Sequence, residues 1–288
     1  MKPIEEIVYT PEPPLYHPGG LLKKIFSENW DRRELCGRLF IRNISVQYRQ
    51  TLLGLTWLFL PAIASSMVWL FLQSFRVIQF KGDYTSGQYL LFVLIGMVLW
   101  QSFFEAVTKP LAAFQQNRTM LLKINFPREV VIVVSAMEVV FNGLVRSVVI
   151  IPFLVYLQQD VAWTLAMLFF PLALIALIIT GLAIGICLMP VGALYQDVGR
   201  TLIIISPIWM ILTPVIYPVP TGFPANLLIY CNPASPMLIT GRELIMGGEL
   251  IYLSFAMLSL LGVLPLLVFS LILYRISIPI LLERVGAS

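Results

Sequence analysis

Long apolar runs separated by short charged or proline-bearing stretches dominate the chain, and six of them approach the twenty or so residues that a helix needs to cross hydrocarbon. They run roughly from Leu55 to Phe75, Tyr89 to Val107, Val130 to Leu157, Thr164 to Pro190, Thr201 to Tyr217 and Ile251 to Tyr274. A different pattern precedes them. From Trp30 to Tyr48, Leu35, Leu39, Arg42 and Val46 recur every three or four positions, with Arg32, Arg33, Arg38 and Arg49 elsewhere. That spacing predicts an amphipathic interfacial helix over 30–50, lying along the bilayer. Residues 1–29 hold Pro11, Pro13, Pro14 and Pro18, which favour an extended polar tail. The expected fold is an all-α polytopic membrane protein, with the transmembrane domain over 51–288.

The transition from surface to interior falls between Phe40 and Pro61. No charge follows Arg49 until Arg76, so a basic segment becomes an apolar one near Gln50 to Gly54. Arg42 and Arg49 are seven residues apart, two helical turns, and can face lipid phosphates together while Ile41, Ile44, Val46 and Tyr48 supply apolar contacts.

Two other stretches break the span pattern. The 109–129 loop carries Met120, Leu121, Leu122, Ile124 and Phe126, too apolar for a solvated connector, yet it is too short and too charged to span. A short helix docked on another protein suits it, as does one lying on the membrane surface. Between the fifth and sixth runs, prolines from Pro214 to Pro236 cut the region 218–250 into two pieces of about ten residues, around Ala225 to Ile229 and Met237 to Ile245. Neither can cross a bilayer, and both have the length of re-entrant or interfacial helices. Irregular backbone at membrane depth must be buried in protein or line a wet cavity, so the breaks favour a pathway over a plain loop.

Composition agrees with the spans. The 288 residues are 59% hydrophobic and 12% charged, and the mean hydropathy of +0.88 excludes an ordinary soluble domain. The net charge of +4 does not point to nucleic acid, because the cations flank the spans. Eight Lys and Arg lie up to Thr51, four in 109–129, one in 191–200 and two at the C-terminus, which makes fifteen on one side. The opposite loops hold three, so both termini are expected in the cytoplasm. No cleavable signal peptide is expected, since Met1 to Asn29 lacks an apolar core.

Little in the chain suggests catalysis. His17 is the single histidine, and Cys36, Cys187 and Cys231 have no paired or metal-ligand spacing, so neither a metal nor a disulfide is expected. There is no G-x-x-x-x-G-K-[ST] loop, and any use of ATP must come from a partner. Intramembrane charge is more informative. Glu138, Asn142 and Arg146 follow one another at i, i+4 and i+8 in the third run, a polar strip that must face a cavity or a neighbouring helix. It serves either as an interhelical hydrogen-bond network or as a contact for a transported molecule. Glu105 can snorkel or meet a basic flank. Gly181 and Gly185 form a Gly-x-x-x-Gly face suited to close packing, within one subunit or between two. Trp57, Trp69, Phe71, Trp100, Phe103, Phe104 and Trp209 read mostly as interfacial anchors, with stacking on sugar rings as the functional alternative.

Several segments together resemble the permease subunit of ABC-2 type exporters for lipid-linked polysaccharides, such as O-antigen, capsule and teichoic acid. The stretch from Gln47 to Trp57, with Tyr48, Arg49, Thr51, Gly54 and Trp57, is similar to R-Y-[RK]-x-[ST]-x-L-G-x-x-W ahead of the first span. Phe126-Pro127-Arg128 follows in the cytoplasmic loop, and Gln196-Asp197-Val198-Gly199-Arg200 is similar to an R-D-[IVL] segment. Thr213-Pro214 to Pro218, then Asn232-Pro233 and Arg242, complete the set. Gln47 and Gln196 stand where the family often has arginine.

The resemblance implies a homodimer of six-span subunits in a bacterial inner membrane, paired with two cytoplasmic ATPase subunits that would hold the ATP and Mg. In that picture the N-terminal helix is a gate at which Arg42, Tyr48, Arg49 and Gln50 meet the headgroup. The 109–129 loop, with Arg118, Leu121, Leu122, Lys123, Phe126 and Pro127, couples to the ATPase. The cargo would be a glycan on polyprenyl diphosphate, as in lipopolysaccharide biosynthesis. Competing readings are an ABC-2 permease for a drug or simple lipid, an ion-driven carrier using Glu138 and Arg146, and a membrane enzyme acting on polyprenyl phosphates. The last would need a convergent cluster of acids, histidines or lysines, and none stands out.

Overall fold

The computed structural model describes residues 32–49, 51–75, 85–123, 127–156, 164–219, 222 and 229–286. Every regular element among them is helical. They are α1 (Arg33–Arg49), α2 (Thr56–Ser74), α3 (Ser86–Lys123), α4 (Glu129–Ser147), α5 (Ile150–Tyr156), α6 (Phe170–Leu194), α7 (Asp197–Leu212), α8 (Ala234–Met246) and α9 (Leu253–Gly286). A 3₁₀ turn over Leu165–Phe169 leads into α6. The expected 1–29 tail lies outside the described residues, as do Gln50 and Phe126.

The all-α polytopic fold is borne out. Among the described residues, five helical stretches are long and apolar enough to cross a membrane, namely α2, α3, α4 continued by α5, the turn plus α6, and α9. The remaining expected span corresponds to α7, which has 16 residues and a length near 24 Å, short of the roughly 30 Å hydrocarbon core. Its end has a local cause. The residue before a proline is disfavoured in the helical region, and Thr213, ahead of Pro214, adopts φ −96° and ψ 133°.

Of the five stretches, α3 is the most deeply buried. Val93, Leu94, Ile95, Val98 and Leu99 are all inaccessible, and α2, α4, α6 and α8 pack around it. Helices in lipid associate through close van der Waals contact, which favours small residues at the seam. Gly181 and Gly185 of α6 supply it here. A Cβ at Gly181 would lie 2.6 Å from the Phe103 carbonyl oxygen, and one at Gly185 2.8 Å from that of Ala106. The Gly-x-x-x-Gly face is therefore filled within one chain.

Three expectations change. The 109–129 region is not a loop with a separate short helix: α3 continues through it to Lys123, with Pro110 inside. Nor does lipid alone cover the apolar strip of α1. Leu35, Cys36, Leu39 and Phe40 pack on Val130 and Val134 of α4, while Ile41 and Val46 stay exposed. Finally, Trp100 and Phe103 are buried and pack with Trp209 as an internal aromatic cluster, ring centroids 5.1–6.0 Å apart, so they are core and not interfacial anchors. Trp57 and Phe71 remain exposed. Of the two outer pieces, Met237 to Ile245 forms most of α8, buried against α3 and α6; the other falls almost wholly outside the described residues.

Candidate functional site

The polar strip of α4 meets a matching strip on α3. Ser102, Glu105 and Lys109 lie at i, i+3 and i+7, one face of a helix, opposite Arg146, Asn142 and Glu138. Lys109 Nζ lies 2.6 Å from Glu138 Oε2, and Arg146 Nη2 lies 2.8 Å from Glu105 Oε2. Between the two ion pairs, Asn142 Nδ2 donates to Glu105 Oε1 at 2.6 Å, and Arg146 Nη1 donates to Ser102 Oγ at 3.0 Å. Glu138, Asn142 and Arg146 are all buried. Each charge thus has an opposite charge within reach, the condition under which ionised groups survive in an apolar interior.

This network also holds α1 and α2. Asn43 Nδ2 donates to Glu138 Oε1 at 2.7 Å, and Tyr48 Oη donates to Asn142 Oδ1 at 3.0 Å. Arg146 Nε donates to the Leu58 carbonyl of α2 at 3.3 Å. Partners advance in the same direction along both helices, Cys36 beside Val130 and Val134, Asn43 at Glu138, and Tyr48 at Asn142. The two helices therefore run parallel, apolar at the start and polar toward the end of α1. Burial, and after it the negative Glu105, push the Tyr48 hydroxyl up to about 12, so it remains a donor at neutral pH.

The other residues of the expected gate are placed differently. Arg42 is exposed and donates to the Asn43 side chain at 2.9 Å. Arg49 is also exposed at the end of α1. Gly54, in the link to α2, has φ +52°, a conformation that side chains with a Cβ disfavour. At the opposite end of α3, Leu121 is buried but Leu122 is 40% exposed. The Lys123 side chain lies outside the described residues, while the Pro127 carbonyl accepts from the Val130 amide at 3.2 Å to open α4. Arg118 and Arg200 line a common groove between α3, α6 and α7, and Arg200 is 3.7 Å from Asp197.

The late motif residues form a second cluster. Arg242 of α8 is buried, sits 3.7 Å above the Phe92 ring, and donates to the Pro214 carbonyl at 2.9 Å. Asn232 Nδ2 donates to Thr213 Oγ1 at 2.8 Å, and the Trp209 indole donates to Asn232 Oδ1 at 3.4 Å. Tyr89 Oη donates to the Ile216 carbonyl at 3.2 Å. Backbone carbonyls in this proline-broken segment are thereby satisfied from α8 at Pro214 and Val215 and from α3 at Ile216. Pro233 opens α8 as its N-cap.

Sequence reasoning found Glu138, Asn142 and Arg146 but not their partners. Glu105 and Lys109 sit at i and i+4 with the acid first, the same order as Glu138 and Arg146, so that setting the two helices antiparallel brings each acid against the other helix's base. Asn43, Ser102 and Phe92 carried no comparable signal.

No protein-family model matches the chain. It is similar to two proteins from Klebsiella pneumoniae named O-antigen export system permease protein RfbA. One is 25% identical over 245 residues, 82% of this chain and 91% of the relative; the other is 25% identical over 227 residues, 77% and 84%. A protein of the same name from Myxococcus xanthus is 24% identical over 200 residues, 69% of this chain and 74% of the relative. These matches extend over most of the length and bear out the resemblance read from the motifs: the chain is similar to proteins named as O-antigen export system permeases.

Proposed function

We propose that this chain is the membrane-spanning permease subunit of an ATP-driven ABC exporter that moves a polyprenyl-diphosphate-linked glycan, of O-antigen type, across a bacterial inner membrane. The observation that carries the reading is similarity over 69–82% of the chain to three proteins named as O-antigen export permeases. The subunit works as a homodimer with two cytoplasmic ATPase subunits, which hold the ATP and Mg. Both termini lie in the cytoplasm, as the distribution of Lys and Arg favours. The exposed Arg42 and Arg49, beside a Tyr48 anchored on α4, support a gate where α1 meets the headgroup. The exposed Leu122 and the end of α3 support a coupling contact with the ATPase. The 1–29 tail, the 30–50 gate helix and the 51–288 transmembrane domain are the working divisions.

Reconstitution tests the assignment. The chain co-expressed with an ABC ATPase should form a complex whose ATP hydrolysis drives movement of a lipid-linked glycan into vesicles. Gradient-driven flux by the chain alone would overturn the ABC reading, and ATP-driven movement of a drug or simple lipid but not the glycan would overturn the cargo. Leu122→Glu should leave the fold intact and lower transport-coupled ATPase stimulation; unchanged stimulation would remove α3 from the coupling surface.

A further inference from the structure

We propose that the groove between the inner ends of α3, α6 and α7 binds an anionic phospholipid of the surrounding bilayer, with its phosphate held by Arg118 and Arg200. The groove is open and encloses about 820 Å3, room for a headgroup and the first part of its chains and far more than a lone phosphate needs. Its lining is divided by chemistry. Arg118 and Gln115 from α3, Gln196 just ahead of α7 and Arg200 within it supply polar donors, while Leu111 and Ile203 belong to an apolar wall. Two arginines from different helices that line one cleft are suited to a phosphate, which each can bind through a planar fork of donors.

The apolar wall identifies a lipid instead of a soluble anion. Ile203 lies in the groove and is also 69% exposed on α7. Ile204, Ile208 and Ile211 continue the exposed apolar surface up the same helix, a continuous track for acyl chains leaving the groove. The level is also appropriate. Arg118 follows the apolar part of α3 and Arg200 opens the apolar part of α7, so both cations lie at a membrane boundary, where anionic headgroups reside. Asp197 is 3.7 Å from Arg200 in an exposed pair, weak enough for a phosphate to compete with it. The inference is independent of the cargo.

The full chain, purified from vesicles of phosphatidylcholine doped with phosphatidylglycerol, should retain phosphatidylglycerol in native mass spectra. Arg118→Gln with Arg200→Gln should reduce that retention about tenfold or more, and the paired Arg→Lys changes should keep most of it. Should the double glutamine variant fail to fold, a photoactivatable phosphatidylglycerol on the unaltered chain provides the test, with crosslinks expected on α3 near Gln115 and on the first turns of α7. Equal retention by the folded glutamine variant, or crosslinks confined to other helices, would overturn the proposal. So would equal loss of phosphatidylcholine, or competition by glycerol phosphate as strong as by the lipid, which would make the groove a simple anion site. Loss of ATPase assembly with lipid retention unchanged would make it a protein-docking face instead.

Discussion

Glu138 shows how a single residue can determine the state of its neighbours. Its carboxylate accepts from Asn43 and pairs with Lys109 in a buried setting, so removing it leaves a cation without its partner. Breaking a buried pair from one side costs roughly 3–5 kcal/mol, whereas replacing both members by apolar groups of similar size is often neutral. Glu138→Ala should therefore sharply lower the apparent melting temperature in detergent, and Glu138→Leu combined with Lys109→Met should recover most of the loss. Equal destabilisation by the single and double changes would show that the pair does not act as a unit. Tyr48→Phe is milder, since it deletes the hydrogen bond donated to Asn142, worth about 0.5–1.5 kcal/mol, and an exposed one accepted from Gln47. Its expected signature is local: faster labelling of a cysteine placed at Ser45, with little change in overall melting.

Among the elements, the seam between α3 and α6 is the least tolerant of change. Gly185 lies against the Ala106 and Val107 backbone, so any larger side chain must push two helices apart. Gly185→Leu should abolish monodisperse protein on size-exclusion chromatography. Gly37→Ala, on α1 with nothing within 4 Å of the added Cβ, should behave as the unaltered chain. The segment after α7 depends on Arg242 in a similar way. Arg242→Lys keeps the charge but loses the planar group over Phe92 and its fork of donors toward Pro214. That change should increase protease cleavage between α7 and α8 while sparing α1.

For the whole molecule, the strongest expectation is topological. Tags fused before Met1 and after Ser288 should both be protected from external protease in intact spheroplasts, because Lys and Arg favour one side by fifteen to three. Opposite accessibility of the two tags would mean an odd number of crossings and would remove α7 as a span. Five of the expected spans reappear as long helices, and their apolar windows are what made them legible. The polar strip on α4 was legible for the opposite reason, since charge inside such a window is conspicuous. What covered that strip was not. Periodicity tells which residues share a face of one helix, but the face opposite is chosen by how separate helices pack. Thus the 109–129 run, read as a loop with a short helix of its own because it is too charged to span, continues α3 as far as Lys123, since nothing after Pro110 stops the helix; charge patterns mark solvent or headgroup exposure and leave backbone conformation open. A multi-pass helical membrane protein and its resemblance to O-antigen export permeases could both be read from the chain alone, because span length and motif order are properties of a linear sequence. Only the tertiary structure decided that α1 is tied to α4, that Glu105 answers Arg146, that the glycine seam closes within one chain and that Arg242 supports the Pro214 turn. Those pairings join residues up to 95 positions apart, where packing geometry, which no local pattern encodes, selects the partner.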